Sequence, residues 1–192
     1  YFYENKLHIL PANEKQIKSN FYNLVPEPFK AFDHRKIFIN VVDTDEELNW
    51  KTNKAEAEMC LQMVQVLSEL YSGNNYELSP SSIGIITPYR AQIALIRKYL
   101  SILPPHIESM VTVDTVERYQ GGARDIIIIS FCVNKLSQLD SLVSLSLEGV
   151  DRKLNVALTR AKEQLILIGN QSLLETNNVY KSLIATCHQF GN

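Results

Sequence analysis

The sequence predicts an α/β fold in which a mostly parallel sheet carries helices on both faces. Three observations lead there. Five short, β-branched apolar runs recur along the chain, they are continuous rather than alternating, and helical patterns separate them. Continuous hydrophobicity belongs to strands covered on both faces. Strands that alternate with helices connect in parallel. In such sheets, ligands gather outside the carboxyl ends of the strands.

Taken in order, residues 1–35 hold aromatics, prolines and charges with weak periodicity, and read as an irregular arm packing on a domain that spans 36–192. The predicted strands are "KIFINVV" (Lys36–Val42), "SIGIIT" (Ser82–Thr87), "SMVTV" (Ser109–Val113), "DIIIISFC" (Asp125–Cys132) and "QLILIG" (Gln164–Gly169). Asn53 followed by Glu56 has the spacing of an N-cap with its capping-box glutamate. The helix it opens sets Ala57, Cys60, Leu61, Val64, Leu67 and Tyr71 on one stripe and ends near Gly73. A second helix is predicted over Ala91–Leu100, stopping before Pro104 and Pro105. A third covers Arg152–Ala161, and a fourth covers roughly 179–190. Residues 134–150 read as a long connecting loop with a fragment of regular structure.

A chain of 192 residues that is 45% hydrophobic can bury one good core. The net charge of −2 excludes binding to nucleic acid by bulk positive charge, so any such site must be a local patch. Cys60, Cys132 and Cys187 are widely spaced in apolar surroundings and read as reduced core residues of a cytoplasmic or nuclear protein. There is no CxxC or HxxxH spacing, so no metal site is expected, and no apolar run reaches membrane-spanning length. The N-terminus resembles no signal peptide and lacks an initiator methionine, so the chain is expected to be a piece of a longer protein.

Chemistry-bearing residues cluster in three places. In "ITPYRAQ" (Ile86–Gln92), Thr87, Tyr89 and Arg90 could hold a phosphate and stack a base; a plain turn with Pro88 starting a helix explains the same residues. In "TVERYQGGARD" (Thr115–Asp125), Gly121 and Gly122 let a backbone approach a ligand while Gln120 and Arg124 supply donors; a loop that needs glycine is the alternative. In "DRKLNVALTRAKEQLILIGN", helical spacing puts Arg152, Asn155, Thr159 and Lys162 on one face, with Arg160 beside Lys153. No glutamate falls between Arg152 and Lys162, which suits an anionic ligand such as phosphate as well as an ordinary basic face. The acids of "INVVDTDEE" (Asp43, Asp45, Glu46, Glu47) imitate a magnesium-holding strand end. Without a GxxxxGK[ST] loop anywhere in the chain, they read as a solvated loop.

In order and spacing, "IGIITPYRAQ", "TVERYQGGARDIIIIS" and "RKLNVALTRAKEQLILIGN" resemble motifs IV, V and VI of superfamily 1 helicases, in the branch of the nonsense-mediated-decay helicase and its DNA-processing relatives. "FYENKL" (Phe2–Leu7) resembles the segment that follows that family's glutamine-tyrosine-arginine motif, so the likeness covers about Phe2 to Asn170. The resemblance implies the second RecA-like domain of such a helicase, a three-layer fold, with the phosphate loop on a first domain upstream. ATP and Mg²⁺ would be bound mainly by that first domain, leaving this piece alone inactive. By the family pattern Arg160 is the arginine finger, and Gln120, Gly121, Arg124, Arg152 and Asn155 belong to the ATP cleft. Thr87, Tyr89, Arg90 and Thr115 would contact single-stranded DNA or RNA, with 5′ to 3′ polarity, in a monomeric protein without membrane partners. Two departures stand out: Ala123 replaces an acid found in many relatives, and Glu117 stands where aspartate is common. A non-catalytic scaffold derived from a helicase, and a translocase that remodels complexes without separating strands, are the competing readings.

Overall fold

The computed structural model describes residues 21–27, 29–42, 50–119, 122–142 and 152–190. Its centre is a six-stranded sheet in the order β3-β2-β4-β5-β1-β6. The strands are β1 (Lys36–Asn40), β2 (Ile83–Ile86), β3 (Val111–Asp114), β4 (Arg124–Ser130), β5 (Ala161–Gly169) and β6 (His188–Phe190). Every pairing is parallel, with Ile37 opposite Ile166, Ile85 opposite both Val113 and Ile128, and Ile127 opposite Leu165.

The pleat divides each apolar run between two cores. Ile126 and Ile128 of β4 face one side with Ile83, Ile85, Ile166 and Ile168, under helices α1 (Lys54–Gly73) and α2 (Arg90–Leu100). Ile127 and Ile129 face the other with Phe38, Leu165 and Leu167. That side is covered by α5 (Arg152–Leu158) and α7 (Asn178–Ala185) through Leu154, Ala157, Leu183 and Ile184. Short helices α3 (Pro105–Glu108), α4 (Leu139–Leu142) and α6 (Gln171–Leu174) lie in the connections. Each fully buried isoleucine contributes about 1.5–3 kcal/mol, which is why the β-branched runs govern the architecture. The result is the three-layer, RecA-like arrangement.

The residues before β1 join the first core. Tyr22, Val25 and Phe32 are buried, and a 3₁₀ turn over Lys30–Asp33 leads into the strand. The buried Gln164 of β5 donates to the carbonyls of Phe32 and His34, both at 2.9 Å, tying this segment to the sheet. Residues 1–20, and with them "FYENKL", lie outside the described residues.

Two expectations for the elements are corrected. The predicted terminal helix stops at Ala185, and His188–Phe190 forms β6 on the outer edge of β1. A three-residue strand is too short to show periodicity, but the edge of β1 would otherwise present unpaired backbone groups. The predicted third helix ends at Leu158 rather than Ala161. Arg160 O accepts from Arg124 N at 2.9 Å, and from Ala161 onward the ladder to β4 replaces the helical bonds. Of the connection over 134–150, a 3₁₀ turn at Leu136–Gln138 and α4 are described; the remainder is outside the described residues.

Candidate functional site

The candidate residues separate to opposite ends of the sheet. At the carboxyl end, β2 leaves the sheet at Ile86, and Thr87 N donates to Asp114 O at 3.2 Å. Thr87 is completely buried and its hydroxyl has no partner among the described residues. Its hydroxyl therefore does not face solvent. Tyr89, half-buried at the N-cap of α2, and Arg90, exposed at its first residue, do face outward.

The start of α2 is held from below. Gln92, fully buried, accepts from Asn53 N at 2.8 Å and donates to Asn53 O at 3.0 Å and to Ser130 Oγ at 3.3 Å. The expected capping box at α1 is thereby only half formed. Asn53 Oδ1 accepts from Glu56 N at 2.7 Å, but the Asn53 N–H goes to Gln92, and the Glu56 carboxylate turns into the core. There it accepts from Ser130 Oγ at 2.7 Å and from Cys132 N at 2.9 Å. Cys132 holds the left-handed backbone φ of 53°, unusual outside glycine, and the bond from its N–H helps fix that turn at the exit of β4. This polar cluster was not foreseen; a glutamate three places after an N-cap reads locally, and only the fold brings Ser130 to it.

Thr115 begins the next segment, half-buried, with its N–H on Asp114 Oδ1 at 2.8 Å. Glu117 pairs with Lys153 at the start of α5, Nζ to Oε1 3.1 Å. A hydrogen bond from its own backbone, with those from Lys153 and Thr115, holds its carboxyl below the ordinary range against a smaller opposing effect of burial.

From Thr115 the chain crosses back over the sheet to begin β4. Tyr119 is buried, its hydroxyl bonded to the hydroxyl and, at 2.8 Å, the carbonyl of Thr112. It sits so close over β2 that a Cβ on Gly84 would lie 2.7 Å from Tyr119 Oη. Arg124 is spent internally: Nε reaches Thr112 Oγ1 at 3.2 Å, Nη1 reaches Ala123 O at 3.0 Å, and the guanidinium carbon lies 5.4 Å from the centre of the Tyr119 ring. That geometry makes Arg124 a brace for the crossing segment. Gln120 and Gly121 lie outside the described residues.

At the amino end, the turn between α5 and β5 carries Arg160. Its Nε donates to Val156 O at 3.2 Å and its Nη2 to Thr159 Oγ1 at 3.4 Å, and among the described residues no carboxylate pairs with it. Other cations share this edge. Arg35 donates to Lys162 O at 2.8 Å, Lys36 to Thr186 Oγ1 at 2.9 Å, and Lys162 pairs with Asp125 at 3.2 Å.

The expected shared face of Arg152, Asn155, Thr159 and Lys162 does not form, because the helix ends before Thr159 and Lys162 belongs to β5. Asn155 is buried at 5% exposure, with its Oδ1 lacking a partner among the described residues. Arg152 opens α5 at the carboxyl end, and its side chain is outside the described set. Of the candidates among the described residues, Thr87, Tyr89, Arg90, Thr115 and Arg152 lie at the carboxyl ends, and Arg160 is at the other end.

With this geometry in place, known proteins identify the family: residues 1–172 match the one described as an AAA domain. The chain belongs to that family. Putative helicase MOV-10 of Gallus gallus is 30% identical over 203 residues, covering 99% of this chain and 21% of the relative. An uncharacterised ATP-dependent helicase of Methanocaldococcus jannaschii is 35% identical over 193 residues, covering 95% of this chain and 26% of the relative. The DNA replication ATP-dependent helicase/nuclease DNA2 of Xenopus laevis is 42% identical over 105 residues, covering 55% of this chain and 9% of the relative. The chain therefore spans about a quarter or less of each. Together with the three motifs, these matches place the chain among the superfamily 1 helicase homologues. Among the described residues no helix is long and apolar enough to cross a membrane.

Proposed function

We propose that this domain is the second motor half of an ATP-dependent helicase or translocase, working in one chain with a first RecA-like domain. The observation that carries the reading is Arg160. It stands in the turn between α5 and β5 on an edge rich in cations, with no carboxylate to hold its charge among the described residues. A guanidinium whose partners among the described residues are a neighbouring carbonyl and hydroxyl can reorient towards phosphate oxygens without breaking an ion pair there.

The residues of this edge fit the terminal phosphate of ATP and do not fit its metal, since no cluster of three or more His, Cys, Asp or Glu exists among the described residues. ATP and Mg²⁺ would be held mainly by the first domain, and the substrate supplies the phosphoryl group that is transferred to water. Arg160 would approach from across the cleft and stabilise negative charge developing on that group. Tyr89, Arg90 and Thr115, at the far ends of β2 and β3, would hold single-stranded DNA or RNA by stacking and phosphate contacts.

In the full-length protein, Arg160→Ala should lower ATP turnover about 10³-fold while leaving the thermal midpoint nearly unchanged. If Arg160 instead served a buried pair, its loss would cost about 3–5 kcal/mol of stability. A large fall in midpoint, or near-normal turnover in a folded variant, would overturn the assignment. The scaffold reading draws on Ala123, which stands where many relatives carry an acid, and it predicts no ATP turnover even before the substitution.

A further inference from the structure

At the carboxyl end of the sheet, one large aromatic side chain stands exposed. Trp50 is 55% exposed, and the Lys135 ammonium lies 5.6 Å from the centre of its ring. Both are tied to the fold by hydrogen bonds. Gln138 Nε2 donates to Trp50 O, Asn134 Nδ2 donates to Thr52 O at 2.8 Å, and Asn53 Nδ2 donates to Asn134 Oδ1 at 2.7 Å. Asn53 is the residue whose backbone is gripped on both sides by Gln92, two places after Arg90. An unbroken chain of hydrogen bonds therefore links the Trp50 platform to the start of α2, where Tyr89 and Arg90 face outward.

We propose that Trp50, with Lys135 beside it, is a base-stacking platform that extends the single-strand path beyond Tyr89 and Arg90. A half-exposed indole with a neighbouring cation is suited to a nucleobase, because every base offers a π-face and the ammonium can meet the adjoining phosphate. With a single ammonium beside the ring, stacking is the main attraction, so the contact is to bases more than to backbone. The inference rests on the strand-binding reading of this end of the sheet.

The test measures equilibrium binding of the full-length protein to a labelled single strand and to a matched abasic strand. Variants are Trp50→Ala, Trp50→Phe, Lys135→Ala and the pair Tyr89→Ala, Arg90→Ala, each checked for an unchanged thermal midpoint. Trp50→Ala should weaken binding to the normal strand about tenfold and leave abasic binding as it was; Trp50→Phe should retain most of the affinity. If Tyr89→Ala, Arg90→Ala weakens binding and Trp50→Ala does not, the platform is refuted while the strand-binding face stands. Equal loss by Trp50→Ala on normal and abasic strands also refutes stacking. If no variant changes affinity, both the platform and the strand-binding reading fail.

Discussion

At the scale of single residues, neighbours decide whether a motif side chain can act. Thr87 and Asn155 stand at motif positions, yet both are buried with a polar atom unmatched among the described residues. Arg124 is absorbed by Thr112, Ala123 and Tyr119. Among the described residues, no carboxylate pairs with Arg160. None of this is legible in the sequence, which shows residue type and spacing but not what faces each side chain across the sheet. Gly84 has the least room for a side chain among the described glycines. Alanine would bring Cβ to 2.7 Å from Tyr119 Oη, 2.9 Å from Arg124 Cγ and 3.0 Å from Ile127 Cδ1. Gly84→Ala should destabilise by about 1–3 kcal/mol through overpacking, read as a lower urea midpoint at unchanged slope. A variant as stable as the parent would show that Tyr119 is not pressed against β2.

At the scale of elements, the apolar runs located β1 to β5 within a few residues, because continuous burial leaves a continuous apolar signal. The same logic could not find β6, whose His188, Gln189 and Phe190 are not fully buried. It also overran α5, where strand pairing at Ala161 outcompeted helical spacing. The join between α1, α2 and β4 was invisible for a different reason. Its members, Asn53, Glu56, Gln92 and Ser130, are distant in sequence and polar, and only folding makes them neighbours. Gln92→Leu tests that join. It removes the acceptor for Asn53 N–H in a buried place, a loss of about 1–3 kcal/mol, measurable by urea unfolding. Unchanged stability would mean that the first turn of α2 is positioned by something else.

At the scale of the whole molecule, three buried tyrosines set an alkaline limit. Burial, acting first, raises the hydroxyls of Tyr22, Tyr71 and Tyr119 above their ordinary value; Tyr71 and Asp125 add to the effect at Tyr22. In the unfolded chain they ionise near pH 10, about the usual value. The folded state keeps these protons longer, so their contribution to stability is complete below about pH 10 and is lost as pH rises above it. Phenolate absorbance and circular dichroism followed together should show a late group of tyrosines ionising only as the fold is lost. Their titration in a still-folded protein would contradict this.

Helix α5 spans seven residues, about 10 Å at 1.5 Å per residue. Lys153 at its start is bound to Glu117, and the turn at its end is bound through Arg160 O to Arg124 N. On the proposed function, a rod pinned at both ends ties the end that would hold the strand to the end that would meet the phosphate. Thermodynamic linkage then makes the tie symmetrical: the factor by which a bound strand tightens nucleotide must equal the factor by which nucleotide tightens the strand. Loosening either pin should diminish both by the same ratio.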